Sequence, residues 1–148
     1  MFDVTPTAEQ DAVREIVVAF EAAWNKHDPD RFAALLAEDA EWVNVVGWWW
    51  RGPSNVKRGF EWIHEVVFKN TPWHADEISI RFPTPDTAIA AVTGTTGSYT
   101  TPDGAAVPGK RDRLSIVAVK RSGRWLIVSG QNTEIDREAE QHNPVKAP

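Results

Sequence analysis

The chain has 148 residues, which suits a single domain, and its 42% hydrophobic and 25% charged residues are typical of a globular protein. No apolar run approaches the roughly 20 residues that a membrane span needs, and a net charge of −5 without a basic stripe argues against nucleic-acid partners. The chain lacks cysteine, which excludes disulfides and thiol chemistry, and Met1–Gln10 has no signal-peptide pattern, so we expect a cytoplasmic protein.

Two helices are predicted first. Residues 8–27 repeat apolar side chains at three- and four-residue steps, which indicates one buried helix face. Asp28 and Pro29 then form a helix-start signal, with Asp as the N-cap and Pro at the first helical position. The short second helix presents Phe32, Leu35 and Leu36, and the tight connection predicts a helical hairpin.

A strand and a third helix follow. Residues 40–46 have the composition of a short strand, which Gly47 ends. Gly52 and Pro53 open a third helix that we expect to run to about Lys69, before the Asn70-Thr71-Pro72 stop.

From Trp73 onward the apolar period becomes two, which predicts four strands joined by turns. Consecutive hairpins imply an antiparallel sheet. We therefore predict an α+β fold in which a curved antiparallel sheet wraps around three N-terminal helices, as a cone with a central pocket. A single domain covers 1–148, with its core at about 8–135 and a polar, fraying tail at 136–148. The predicted strands are Trp73–Phe82, Thr87–Tyr99, Arg111–Lys120 and Arg124–Thr133.

In order and spacing, these residues resemble the nuclear-transport-factor-like, SnoaL-like cone proteins, and within them the SgcJ/EcaC type. The resemblance covers about residues 8–135. It implies a homodimer that packs through the sheet, and a pocket of the kind that hosts isomerases, dehydratases, cyclases and plain ligand binders. The motifs that carry it are Phe20, Trp24, Asp28, Phe32, Leu35, the run Asp39–Asn44, Gly47, Gly52, His64, Gly123-Arg124-Trp125 and Gln131-Asn132-Thr133.

His64 is the first candidate for catalysis. It shares one helix line with Phe60 and Phe68, so we expect it to face inward, where a neutral imidazole exchanges a proton near pH 7. The competing interpretation is a core histidine bonded to a backbone carbonyl. Asp39 is a second candidate, either as a carboxylate that acts as a base at the pocket mouth or orients a histidine, or as a turn residue that bonds its own backbone.

The pocket walls are predicted from aromatic side chains. Trp24, Trp42, Phe60 and Phe68 are expected to line it, with Trp24 also suited to the core. Asn44 shares a strand face with Trp42, and its amide needs a partner, either a ligand group or the backbone.

The run of Trp48, Trp49 and Trp50 is unusual, because neighbouring side chains diverge and three indoles cannot all enter one core. At least one indole is expected to be exposed. It either forms a rim that stacks on a planar ligand, with Trp48 as the candidate, or makes a dimer or loop contact.

Polar positions on the later strands complete the candidates. Arg113 either neutralises an anionic ligand group or forms a surface ion pair. Gln131 and Asn132 point to opposite faces, so only one of them enters the cone; Asn132 is the named candidate.

Two functions remain open on sequence alone. One is cofactor-free acid–base chemistry of the cyclase, isomerase or dehydratase type on a small hydrophobic molecule, with His64 and Asp39 as the catalytic pair. The other is a ligand-binding or dimeric assembly module without chemistry. No metal site is predicted, since the histidines have no recognisable ligand spacing.

Overall fold

The computed structural model describes residues 7–145. Two predictions lie partly outside the described residues. The absence of a signal peptide was inferred mainly from Met1–Pro6, and the predicted fraying tail includes the last three residues. The elements in chain order are α1 (Thr7–Asn25), α2 (Pro29–Ala33), β1 (Leu36–Val43), β2 (Trp49–Arg51), α3 (Pro53–Val66), β3 (Trp73–Thr84), β4 (Thr87–Thr96), β5 (Tyr99–Thr100), β6 (Ala106–Val107), β7 (Lys110–Arg121), β8 (Arg124–Glu134) and α4 (Arg137–Glu140).

One curved sheet carries the fold, with the strand order β2-β1-β8-β7-β4-β3, while β5 and β6 form a separate two-stranded ribbon. The predicted α+β cone is confirmed. The sheet is mixed rather than wholly antiparallel, because β1 pairs in parallel with β8. The antiparallel direction was predicted because a hairpin joins two strands that run in opposite directions. No hairpin joins β1 to β8, so this argument does not apply to β1.

Several element boundaries differ from the prediction. β1 begins at Leu36 rather than at residue 40, because Leu36 and Ala37 are buried and Leu36 pairs with Ile127 of β8. Leu36, which was predicted to lie in the second helix, is therefore part of the sheet. In the polar tail, Asp136 caps a short helix, which the sequence did not predict, by accepting a hydrogen bond from the Ala139 N–H at 2.9 Å.

The helical hairpin forms as its local signals predict. The Asp28 side chain accepts a hydrogen bond from the Arg31 N–H at 3.0 Å, which satisfies one orphan donor at the start of α2. His27 adopts the left-handed conformation, with φ of 52°, and this allows the chain to reverse tightly between α1 and α2.

The core lies between the helices and the concave face of the sheet. Along β7, the residues at every second position from Asp112 to Ala118 are buried, and the alternate positions are more exposed. Phe20 of α1 lies at the centre of the core. Its ring centroid is within 6.2 Å of four other aromatic rings, those of Trp24, Phe32, Trp42 and Trp73.

Gly130 of β8 provides a test of this packing, because the Trp42 indole lies directly against it, and a Cβ there would overlap the ring. We expect Gly130→Ala to lower the free energy of unfolding by about 1–3 kcal/mol, since an overpacked core must shift rings or backbone. Urea unfolding followed by circular dichroism measures this change. Ser129→Ala, at the adjacent exposed position, is the control. Equal stability of Gly130→Ala and the wild-type protein would show that the indole moves freely.

Candidate functional site

A cavity opens within the cone between α1, α3 and the concave face of the sheet. Its volume is about 70 Å³ when counted as the space open to the centre of a water-sized sphere. About 10–15 Å³ of such space holds one water molecule, so the cavity has room for a group about the size of one six-membered ring. It is lined by Phe20, Trp24, Phe32, Trp42, Asn44, Val45, Trp50, Phe60, Ile63, Phe68, Trp73, Thr96, Tyr99, Lys110, Arg111, Asp112, Leu114, Asn132 and Glu134.

Asp112 of β7 places a carboxylate on this largely aromatic wall. The residue is only 3% exposed. Its oxygens accept hydrogen bonds from Trp73 Nε1 at 3.2 Å, Thr96 Oγ1 at 2.8 Å and Asn132 Nδ2 at 3.5 Å. A buried charge requires such partners, and all three are uncharged, so the carboxylate is held in place without a neutralising cation among them.

Gly94 and Asn25 fix the geometry around Asp112. Gly94 of β4 pairs with Asp112 in the sheet, and a Cβ there would lie 2.5 Å from Trp73 Nε1 and 2.6 Å from Asp112 Oδ1. The Asn25 side chain donates to the Trp73 carbonyl and accepts from the Trp73 N–H, both at 2.9 Å. The absence of a side chain at Gly94 and this two-point clamp together direct the indole N–H toward the carboxylate.

The mouth of the cavity is charged. Lys110 Nζ lies 2.9 Å from Glu134 Oε1, and this hydrogen bond raises the pKa of Lys110. Phe68 and Tyr99, whose ring centroids are 4.9 Å apart, also line the cavity. A molecule in the cavity therefore meets both aromatic and charged groups.

The predicted aromatic walls lie where the sequence indicated, since Trp24, Trp42, Phe60 and Phe68 all line the cavity. Asn44 lines it too. Its Oδ1 accepts hydrogen bonds from the N–H groups of the following turn, from Val46 at 3.2 Å and from Trp48 at 2.9 Å, which is the backbone alternative left open by the sequence.

His64 is not among the residues that line the cavity. It is 4% exposed, and its Nδ1 lies 2.8 Å from the Phe60 carbonyl. Because a carbonyl only accepts, Nδ1 carries the proton, and Nε2 is buried without a partner within residues 7–145. Burial lowers the pKa of His64 to about 4, and the nearby His27 ring, with its centroid at 4.7 Å, acts in the same direction. The imidazole is therefore neutral near pH 7.

Asp39 and Arg113 also lie away from the cavity. Asp39 is on β1 and forms a bidentate ion pair with Arg121, at 2.7 and 3.1 Å, which lowers the pKa of the Asp39 carboxyl. Arg113 donates to Thr93 Oγ1 at 2.6 Å. Its side chain is partly exposed and lies 3.9 Å from Glu140. This position agrees with the alternative in which Arg113 forms a surface ion pair.

The structure separates the tryptophan triplet. Trp50 lines the cavity, while Trp48 and Trp49 are 46% and 60% exposed, which confirms that at least one indole of the triplet is exposed. Trp48 packs on Trp62 of α3, with ring centroids 5.5 Å apart, in a groove on the outside of the cone.

Asn132, rather than Gln131, lines the cavity; Gln131 is exposed. Asp112 was missed by the sequence reasoning, although a signal existed. Asp112 is in phase with the apolar positions Leu114 and Ile116, so strict alternation places it on the buried face. An acidic residue at an inward position indicates a polar site.

The fold and the cavity define an α+β cone of the cystatin-like, nuclear-transport-factor-like kind. Residues 17–127 match the model of the SnoaL-like domain, and the chain belongs to that family. This membership is compatible with the predicted SgcJ/EcaC type.

Solved structures support the fold. An uncharacterized protein with a cystatin-like fold from Caulobacter vibrioides is 36% identical, with a TM-score of 0.87 over 91% of this chain and 95% of that chain. A candidate scytalone dehydratase from Novosphingobium aromaticivorans is 19% identical, with a TM-score of 0.74 over 89% and 87% of the two chains. A ketosteroid isomerase-like protein from Erwinia carotovora atroseptica is 16% identical, with a TM-score of 0.69 over 85% and 95%. No curated protein matches the chain.

Within residues 7–145, no three His, Asp or Glu side chains converge in a way that would hold a metal ion. In the same part of the chain, no helix has the length and apolar character required to cross a membrane.

The buried imidazole of His64 predicts a pH-dependent stability. The ordinary histidine pKa is about 6.5, so between pH 6.5 and about 4 the unfolded chain binds a proton that the folded chain does not. The contribution of His64 to stability is complete above pH 6.5 and falls as the pH drops toward 4, by up to about 3 kcal/mol.

Urea unfolding of wild type and His64→Leu at several pH values measures this effect as the difference between their slopes. His142→Gln, which removes an exposed imidazole, is the control. Parallel stability curves for wild type and His64→Leu between pH 4 and 6.5 would contradict the prediction.

Proposed function

We propose that this protein binds a small, largely apolar organic molecule in the cone cavity and moves a proton on it, with Asp112 as the acid–base group. The reaction class is that of a dehydratase or isomerase acting next to a carbonyl, without a cofactor. The observation that carries the proposal is the buried Asp112 carboxylate, which lies beside the aromatic residues of the cavity wall. The predicted cytoplasmic location belongs to the same proposal.

The surroundings of Asp112 suit this chemistry. A carboxylate in a cavity largely shielded from water interacts strongly with the polar part of a ligand, because screening is weak there. Asn132 and Thr96 lie beside it and can orient a carbonyl or hydroxyl group, and the aromatic side chains of the lining supply apolar surface against which a ring can pack. The comparison proteins described as dehydratase and isomerase-like have the same fold, which agrees with this reaction class.

Asp112 replaces the catalytic pair expected from sequence. His64 lies outside the cavity lining with its only protonated nitrogen engaged by Phe60, and Asp39 is paired with Arg121 on the outer surface. Neither touches the space that a substrate occupies in this proposal.

A second candidate function is ligand binding without chemistry. The observation that favours it is that three donors already engage the Asp112 oxygens. A carboxylate held in this way also serves as a fixed acceptor for a ligand hydroxyl or amine. Under this alternative, ligands quench tryptophan fluorescence and none of them is converted.

Asp112→Asn tests the proposal, because the amide keeps the size and one acceptor of the carboxylate but cannot take up the proton. On a substrate found among small β-hydroxyketones and β,γ-unsaturated ketones, we expect kcat to fall by about 10²–10⁴-fold. Asp86→Asn, the same change at an exposed turn position, should keep the wild-type rate. Unchanged turnover by Asp112→Asn excludes Asp112 as the acid–base group, while ligand binding without turnover by the wild-type protein favours the second candidate.

The expected homodimer also remains a proposal. The convex face of the sheet presents small and apolar side chains in register, with Ala91 opposite Ser115 and Ile89 opposite Val117. A sheet face of this composition suits face-to-face packing with a second copy. We expect Ala91→Arg to convert a dimer into a monomer in light scattering, with secondary structure unchanged and with Glu15→Arg, on the exposed side of α1, as the control. A wild-type monomer at all concentrations contradicts the proposal.

A further inference from the structure

A second concave surface lies outside the cone, between β2 and the outer face of α3. We call it the tryptophan groove, lined chiefly by Trp48, Trp49, Trp62, Arg58 and Glu65. Its volume, measured as for the inner cavity, is about 670 Å³, against about 70 Å³ inside the cone. Trp48, Trp49 and Trp62 are 46%, 60% and 43% exposed, an unusual concentration of open indole surface.

The groove is a built feature of the fold. Trp50 forms its floor and also lines the inner cavity. The Trp50 indole lies against Gly59 of α3, where any Cβ would overlap the ring. On one flank, the Arg51 guanidinium lies 4.8 Å from the centroid of Trp49, whose indole N–H donates to Glu41 at 2.7 Å. Stacking and hydrogen bonding therefore hold exposed rings in defined positions.

Several N–H donors of this groove have no acceptor within the part of the chain that the structure describes, and the carboxylates of Glu61 and Glu65 line it beside them. Among residues 7–145, the indole N–H groups of Trp48, Trp50 and Trp62 donate to no protein acceptor, whereas those of Trp24, Trp49, Trp73 and Trp125 each do. Arg58 adds a guanidinium that has no ion-pair partner within the same residues. A matching ligand presents apolar rings together with acceptors and few donors.

We infer that the tryptophan groove binds an extended proline-rich segment of a partner protein. Proline lacks an N–H group, so such a segment offers carbonyl acceptors and pyrrolidine rings without competing donors. Aromatic grooves recognise polyproline II segments in this way. A carbohydrate fits less well, because each hydroxyl donates as well as accepts.

The dimensions and charges of the groove support this occupant. Its residues on α3 run from Asn55 to Glu65, which is about 15 Å at 1.5 Å per residue, or about five residues of polyproline II at 3.1 Å each. Arg58 lies toward one end of this helix face and Glu65 toward the other, about 10 Å apart along the axis. A segment with one acidic and one basic residue three positions apart, with two prolines between them, complements both ends and presents both charges on one face.

Titration of the ¹⁵N-labelled chain with a capped seven-residue polyproline peptide tests the inference. We expect the indole N–H signals of Trp48, Trp50 and Trp62 to shift, while that of Trp73 stays in place. Trp62→Ala, a change at an exposed position, should weaken binding at least about tenfold. Val18→Ala, at an exposed apolar position on α1, should leave binding unchanged.

Three outcomes would overturn the inference. The first is the absence of indole shifts at millimolar peptide. The second is a shift of the same signals with a glucose tetrasaccharide but not with the peptide, which would indicate a carbohydrate site. The third is a shift of these signals on dilution of the protein alone, which would indicate that a second copy covers the groove.

The charges of Arg58 and Glu65 allow a second, independent experiment. Peptides with the sequences Pro-Glu-Pro-Pro-Lys-Pro and Pro-Lys-Pro-Pro-Glu-Pro should bind with different affinities, because Arg58 and Glu65 favour one chain direction. The paired exchange Arg58→Glu with Glu65→Arg should reverse this preference. Equal affinity of both peptides for the wild-type protein contradicts the proposed contacts.

Discussion

The packing of aromatic rings around Phe20 is the interaction on which the rest of the structure depends. Its ring stacks on Trp42 of β1 at a centroid distance of 5.5 Å and meets Trp73 of β3 edge-on at 5.3 Å. One side chain of α1 thereby joins the helix to strands near opposite edges of the sheet. Because rings of this size dominate core energetics, the curvature of the sheet and the position of the helices follow from the same contacts that leave a small cavity between them.

Glycines make this aromatic interior possible. Gly59, Gly94 and Gly130 each lie where a Cβ would overlap an indole, on α3, β4 and β8 respectively. Each glycine therefore leaves room for an indole from a neighbouring element, as close packing requires when large side chains fill a small volume. The consequence for function is a cavity with fixed walls, in which the Trp73 N–H is directed at Asp112.

Electrostatics divides the interior into two regions. Asp112 keeps a carboxylate at the cavity wall by accepting bonds from uncharged donors. His64, one layer away behind Trp24 and Phe60, is kept neutral by burial. The two groups share a polar character, but only Asp112 borders the space in which a ligand fits. The outer groove differs from the cavity in its exposed indoles, which lie beside side chains of both charges.

The sequence by itself determined the helices, the strands of the C-terminal sheet, the cone and the aromatic walls, because apolar periodicity and capping residues act over a few neighbouring positions. Tertiary structure decided the start of β1 at Leu36, its parallel pairing with β8, and the exclusion of His64 from the cavity. It also decided that Asp112, Trp73 and Asn132 meet, since these residues lie on three different strands. Periodicity assigns a residue to a face of its own element, whereas register and packing between distant elements determine which faces enclose a site.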